Sequence, residues 1–452
     1  MFMVAKFTLE TSSDYLTSRA GLILVGKLLA ETKLFGRLNR SVIDNIKVPL
    51  ISNADNVVAY LGLLCQGKSD FDHIEPFRQD RFFAKALGIR KMTSAPTLRQ
   101  RFDQAAPCGQ WQRVLLEESA DLLKKFHAPL SPIPIHRKKE ETPVSYMPLD
   151  LDVSPFDNSG TQKEGVSRTY KGFDGYSPFF GYLGQEGYCV NVALREGKTN
   201  VQKHADDFID MAVRYAKRVT DTPLLLRMDG GNDAADNINY CLDHNVDFLI
   251  KRNPRKESPE KWLAFAKREG RSIEERAGKT VYWGSETVHP ERFIKPVQLV
   301  YHVTERTAER DGQLLLVPEI ELNLFWTTLT CEEEQILALY KDHATSEQFH
   351  SEIKSELDLE RLPSGKFDTN DLVLHLGAFA YNLLRLIGQI ALTEPDAPTK
   401  KKKVFRQRIR TVIQDLMLIS ARFVTHARTL KLCFGRWSPW FPQLHRIYRQ
   451  LS

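Results

Sequence analysis

Cysteine is scarce in this chain, and what there is does not pair by spacing. The six cysteines among 452 residues stand singly, at 65, 108, 189, 241, 331 and 433, with no CxxC. That argues against a zinc site or a disulfide framework and for a reducing, cytoplasmic setting. Long apolar runs are missing too. No uninterrupted stretch approaches the roughly 20 residues that span a bilayer, and the short run Gly21–Gly26 is bracketed by Arg19 and Lys27. No membrane partner is expected. The N-terminus MFMVAKFTLE lacks a basic n-region, an apolar h-region and a small-residue cleavage site, so no signal peptide is read there. Internal repeats and low-complexity segments are absent as well.

What is present is the material of a globular protein. The chain is 42% hydrophobic and 27% charged, enough for a real core. At about 150 residues per domain, its length suggests about three domains. Net charge is +6, but its distribution is uneven. From Lys400 to Ser452 there are thirteen Lys or Arg against one acid, Asp415, which leaves residues 1–399 at −6. A basic tail on a mildly acidic body suggests a polyanion partner, although a solvated basic face accounts for the charge equally well.

Hydrophobic periodicity divides the chain. Residues 1–126 read as helical. Within them Ser94-Ala95-Pro96-Thr97 caps a short helix that carries Arg99 and Arg101. Such a helix could enter a DNA groove or be an ordinary surface helix. Residues 127–148 form a proline-rich linker with Pro129, Pro132, Pro134, Pro143 and Pro148. Strands and helices alternate over 149–277, which predicts an α/β layer fold. Residues 278–330 read as a β-rich insertion or sheet edge, 331–398 as helical again, and 399–452 as a basic helical tail with one helix over 411–432.

Asp152 and Asp229 each end an apolar strand, Pro148-Leu149-Asp150-Leu151-Asp152 and Leu224-Leu225-Leu226-Arg227-Met228-Asp229. Carboxyl ends of strands are where ligands bind in α/β sheets, and carboxylates there suit a hard cation such as Mg²⁺. Asp is also a common turn former, so neither residue is decisive alone. Asp150 shares a face with Asp152. Asp152 is preferred because it stands at the strand end, and Asp150 stays open as an accessory acid. On a helix around 339–357, a rotation of about 100° per residue puts Tyr340, His343, Glu347 and Lys354 on one narrow stripe and Glu352 away from it. Phe349, Ile353 and Leu357 form the apolar face. The stripe could equally be a solvated polar face.

The pattern Tyr340-x2-His343-x3-Glu347-x6-Lys354 resembles the Y-x2-R-x3-E-x6-K signature of bacterial insertion-sequence DDE transposases, with His343 in place of the Arg. Asp152-Val153-Ser154 is similar to the family's first motif, D-x-T/S, and Arg227-Met228-Asp229-Gly230-Gly231 to its second, R-x-D-[SG]-G. Leu194-Arg195-Glu196-Gly197 and Phe248-Leu249-Ile250-Lys251-Arg252-Asn253 resemble two further family segments. The resemblance implies an RNase H-like core with a β-rich insertion, preceded by a helical DNA-binding region. It implies that Asp152, Asp229 and Glu347 hold two Mg²⁺ ions, for which Mn²⁺ can substitute, and that Tyr340, His343 and Lys354 contact phosphates. It further implies cleavage of transposon ends, joining to target DNA, recognition of terminal inverted repeats, a homodimer that pairs the ends, and a bacterial, nucleoid-associated location. By the same analogy Trp283 could stack on a flipped base; a packed strand aromatic is the alternative. In the tail, Lys401, Lys402, Arg406, Arg408 and Arg410 are expected to touch DNA phosphates. A metal-dependent nuclease or resolvase that does not join strands would use the same acids, and a DNA-binding relic with a dead site is a further alternative. A carboxylate-pair hydrolase acting on a glycan would need no Mg²⁺ and offers no role for the tail.

Overall fold

The computed structural model describes residues 7–43, 49–393, 404–426 and 429–451. Alternation of side chains along strands organises its central sheet. In Leu224–Met228, three residues (Leu224, Leu226 and Met228) face one core cluster. Leu225 faces another, and Arg227 shares its side. The same alternation in Val144–Val153 sends Leu149, Leu151 and Val153 to the first cluster and turns Asp150 and Asp152 to the opposite face.

The sheet has ten strands. Its middle runs Tyr188–Ala193, Phe179–Leu183, Val144–Val153, Leu224–Met228, Asp247–Arg252. The first three strands are antiparallel, and the last two are parallel to Val144–Val153 and to each other. Beyond Asp247–Arg252 come Leu314–Thr327, Val297–Ala308, Lys279–Val288 and Arg271–Arg276, all antiparallel. The β-rich stretch therefore continues the central sheet rather than standing apart from it, and it begins at Arg271, before the expected 278. A helix not read from the sequence, Pro259–Glu269, precedes it.

Helices cover both faces. Ala205–Val219, Ala235–Asp243 and Pro259–Glu269 pack on the Leu151 side. The N-terminal helices and Phe367–Leu392 pack on the other, against Phe180, Tyr182 and Val192. Phe367–Leu392 holds no long uninterrupted apolar run, but it is the one helix among the described residues long and apolar enough on average to cross a membrane. Its 26 residues pass that test by composition, yet 94% of the apolar window is buried inside the protein, as in a core helix. Asn382 fastens it to the sheet. The register of Phe179–Leu183 and Tyr188–Ala193 slips beside Cys189. Asn382 takes over there, accepting from Cys189 N (2.8 Å) and donating to Cys189 O (2.6 Å) and Ser119 Oγ (2.8 Å).

Two further expectations fail for identifiable reasons. The linker 127–148 already contains strands: Ile133–Ile135 pairs with the start of Val144–Val153. Pro148 lies inside the latter, where its edge partner changes from Ile133–Ile135, which ends opposite Tyr146, to Phe179–Leu183, which starts opposite Leu149. The missing N–H falls in that gap. The tail does not form one helix over 411–432. Ile409–Val412 continues into a wide π turn to Met417, and Ala421–His426 and Thr429–Phe434 form a hairpin. The hairpin pairs with Leu16–Thr17, so an inter-segment ladder overrides local helical pattern.

Asn382→Ala leaves both backbone groups of buried Cys189 unpaired. It is expected to cost about 3 kcal/mol of stability, read as a lower denaturation midpoint at unchanged slope.

Candidate active site

The register of the two central parallel strands sets the site. Asp150 stands opposite Arg227 and Leu151 opposite Met228. Asp152 and Asp229 each follow by one residue, so they emerge side by side at the carboxyl ends of neighbouring strands, on the face away from the Leu151 core.

Asp150 and Asp152 have opposite surroundings. Asp150 is 2% exposed and takes a two-pronged contact from Arg227, Nε at 2.6 Å and Nη2 at 2.7 Å. His343 Nδ1 lies 2.9 Å from Asp150 Oδ1. Burial alone would raise the Asp150 carboxyl, but the Arg227 and His343 charges outweigh it and hold the group below its ordinary value. His343 moves the other way: burial opposes its charged form, yet Asp150 raises its pKa. Arg227 also donates to Leu339 O (2.8 Å) and Asp342 Oδ2 (2.9 Å), tying the sheet to the helix Glu333–His343.

Asp152 is only half-buried. Its Oδ1 accepts from Val153 N (2.8 Å), and its Oδ2 lies 3.1 Å from His350 Nε2 and 3.4 Å from Ser346 Oγ. His350 is itself buried between Phe180 and Tyr182, with its Nδ1 3.1 Å from the Tyr182 hydroxyl. Burial pushes Asp152 up, and the His350 contact more than reverses it. Asp229 is shifted upward, first by burial and then by the charge of Asp152. Its Oδ1 accepts from Gly231 N (3.1 Å) and Asn232 Nδ2 (2.8 Å). The turn after it is anchored by buried Asp233, which accepts from Asn253 N (3.0 Å) and Trp326 Nε1 (3.1 Å). Gln202, just past the Leu194–Asn200 loop, reaches the same turn through Gly231 O (3.2 Å).

Glu347 is exposed, on the short helix Ser346–Ser351 whose Ser346 and His350 touch Asp152. Tyr170 lies within reach of the charges of all three acids. The residue is 64% exposed, while its hydroxyl turns inward to Val153 O (3.3 Å). Burial of that end, followed by the charges of Asp152, Asp229 and Glu347, pushes the phenol up to about 12. Tyr340 is raised by burial and then by Asp229 and Asp152. Lys354 is lowered by burial; its Nζ donates to Pro155 O (2.8 Å) and lies 5.4 Å from the Phe156 ring centroid.

Several expected contacts lie elsewhere. His343 is buried on Asp150. The helix ends at His343 and restarts at Ser346, so a regular helical wheel misplaces it. Arg101 is buried against Asn53 and Ile51 O, whereas Arg99 is exposed beside Asp72 and the Phe71 ring. Arg406 has only 9% of its side chain exposed, and Arg408 pairs with Glu356 at 2.6 Å. Arg410 is exposed and gives its backbone N–H to Glu356 Oε2 (2.7 Å). Trp283 is half-buried, with the Arg271 guanidinium 5.8 Å from its ring centroid. Lys401 and Lys402 lie outside the described residues. Among the described residues, the three acids whose oxygens all fall within 4.8 Å of one another are Glu332, Glu333 and Glu334. Arg271 pairs with all three and Lys138 with Glu332 and Glu333, so they form an ion-pair cluster. Sequence reasoning missed Tyr170, Ser346 and His350. His350 was within reach, since the same wheel puts it about 20° from His343; Tyr170 sits on a loop and carries no such signal.

Paired acids at adjacent strand ends, with a third on a nearby helix, define a carboxylate site on an α/β sheet. The chain matches the family described as transposase DDE domain group 1 over residues 4–452, and it belongs to that family. No curated protein matches it. Among solved structures, the piggyBac transposase in a synaptic complex with hairpin DNA is similar at 10% identity and a TM-score of 0.40, over 88% of this chain and 79% of that one.

Asp150→Asn strips a buried guanidinium of its main counter-charge. It is expected to cost about 3 kcal/mol of stability, the lower end for breaking a buried pair because Asp342 remains. Asp152→Asn is expected to cost less than about 1 kcal/mol. Parallel urea titrations compare the two.

Proposed function

We propose that this transposase cleaves transposon ends and joins them to target DNA by metal-assisted phosphoryl transfer, with Asp152, Asp229 and Glu347 as metal ligands on an RNase H-like core. The observation that carries the reading is the juxtaposition of Asp152 and Asp229 on neighbouring parallel strands, with Glu347 on the short helix whose Ser346 and His350 touch Asp152. Three antiparallel strands followed by two parallel ones, the first and fourth adjacent, support the core assignment.

The residues fit a hard divalent cation. All three donors are carboxylates, as Mg²⁺ prefers. Burial and the Asp152 charge raise Asp229, so a cation held by these carboxylates would relieve an electrostatic cost that the chain otherwise bears. When bound, divalent ions supply the charge that activates the attacking oxygen and stabilises the leaving one. The chain's own groups do the positioning. His350 and Ser346 orient the Asp152 carboxylate, and the Gly230–Asn232 turn orients that of Asp229. Tyr340 borders the acids and offers a hydroxyl to a DNA strand entering there, Tyr170 offers its ring while its hydroxyl rests on Val153 O, and Lys354, held on Pro155 O, adds positive charge beside them. The inverted repeats and target as partners, a homodimer that pairs two ends, and action in the cytoplasm at the nucleoid complete the proposal.

The test is Mg²⁺-dependent cleavage and joining of a labelled transposon-end duplex. Glu347→Gln and Asp152→Asn should each reduce both steps by about a hundredfold or more. Full activity in either variant removes that residue from the site.

A further inference from the structure

Arg406 reads in sequence as one of a strip of DNA contacts that includes the exposed Arg408 and Arg410, but it is itself largely enclosed. Arg406 lies along the back of the Glu347 helix. Its Nη2 donates to Gln348 Oε1 (2.7 Å) and stands 3.5 Å from Glu352 Oε1, and its guanidinium lies 4.4 Å from the Phe349 ring centroid. One side chain thus holds three residues of the helix and of the π turn that continues it, beginning at the immediate neighbour of Glu347.

The support behind it is buried. Glu352 is fully buried and takes Arg385 Nη2 (2.7 Å) and Ile409 N (3.1 Å). Arg385, also fully buried, donates to Gln407 O (2.6 Å) and the Tyr381 hydroxyl (2.8 Å). The chain just after Arg406 is therefore tied both to the core helix Phe367–Leu392 and to the π turn that continues the Glu347 helix. Gly187 closes the front: it holds φ at +73°, and a Cβ there would stand 2.3 Å from the Phe349 ring. Phe349 has no room to shift forward, and Arg406 blocks it from behind.

We propose that Arg406 is a positioning residue for Glu347, setting the placement of its carboxylate through Gln348, Phe349 and Glu352, and that it makes no contact with DNA. The inference rests on Glu347 being a metal ligand. Residues that orient a ligand typically change metal affinity 10–100-fold when removed. A phosphate contact instead weakens DNA binding and lowers its salt dependence.

The experiment uses the full chain. Mn²⁺ binding is followed by electron paramagnetic resonance without DNA, and affinity for a labelled duplex is measured separately in EDTA over a range of salt. Arg406→Gln should raise the Mn²⁺ concentration for half-saturation about tenfold and leave duplex affinity and its salt slope unchanged. Arg406→Lys should fall between, because an ammonium cannot bridge Gln348 and Glu352 while stacking on Phe349. If Arg406→Gln does not fold, Gln348→Ala removes the exposed end of the same hydrogen bond and should shift half-saturation in the same direction. Unchanged Mn²⁺ binding, with or without weaker DNA binding, overturns the proposal. Glu347→Gln is the control. If it binds Mn²⁺ as wild type does, the metal-site reading falls; if it loses binding while Arg406→Gln does not, only the positioning role falls.

Discussion

The buried pair between Asp150 and Arg227 is the constraint on which the site depends. Two charges withdrawn from water cost several kcal/mol each, and only good geometry with further hydrogen bonds offsets that. Here the contact is two-pronged, and His343, Leu339 O and Asp342 satisfy the remaining groups. The pair also joins residues that face each other across two neighbouring parallel strands. A one-residue slip would turn one charge into the apolar core, so the register is locked. Asp152 and Asp229 stand two residues further along the same strands. Fixing the first pair places the second.

The lock extends to the third acid. Arg227 and His343 hold the helix Glu333–His343 against the sheet, and the chain restarts as a helix two residues later with Glu347 near its beginning. Behind that helix, Glu352, Arg385 and Arg406 form a second buried ionic network. It is only partly satisfied, because Glu352 Oε1, Arg385 Nε and Arg406 Nη1 are buried without a hydrogen bond, so breaking a further contact in it is costly. The exposed carboxylate of Glu347 is thus carried on a segment held from the sheet side and from the tail side. Charges at the site are not equivalent either. His350 keeps Asp152 ionised more readily, while burial and Asp152 itself make Asp229 harder to ionise.

Much of this was legible in the residues. Strand-end acids after apolar runs marked Asp152 and Asp229, because period two and a terminal position are local properties. The helical wheel separated Glu347 from Glu352, and the fold places the former at the surface and the latter in the interior. The wheel assumed an unbroken helix, and the break at Ala344–Thr345 is why His343 turns inward to Asp150 instead of outward with Glu347. The basic tail misled for a related reason. Its arginines were read as free charges, whereas Arg406 and Arg408 answer buried acids more than fifty residues earlier in the chain.

What the sequence determined by itself is the set of elements at the centre and the family to which the chain belongs. Those follow from periodicity, composition and motif spacing, which act within a few turns of chain. What only the tertiary structure decided is which charges are spent internally and which remain for chemistry. Asp150 and Asp152 are the same residue type two positions apart on one strand. One is neutralised by Arg227 and His343 and the other opens toward Asp229, because the partners that distinguish them arrive from segments about eighty and two hundred residues away.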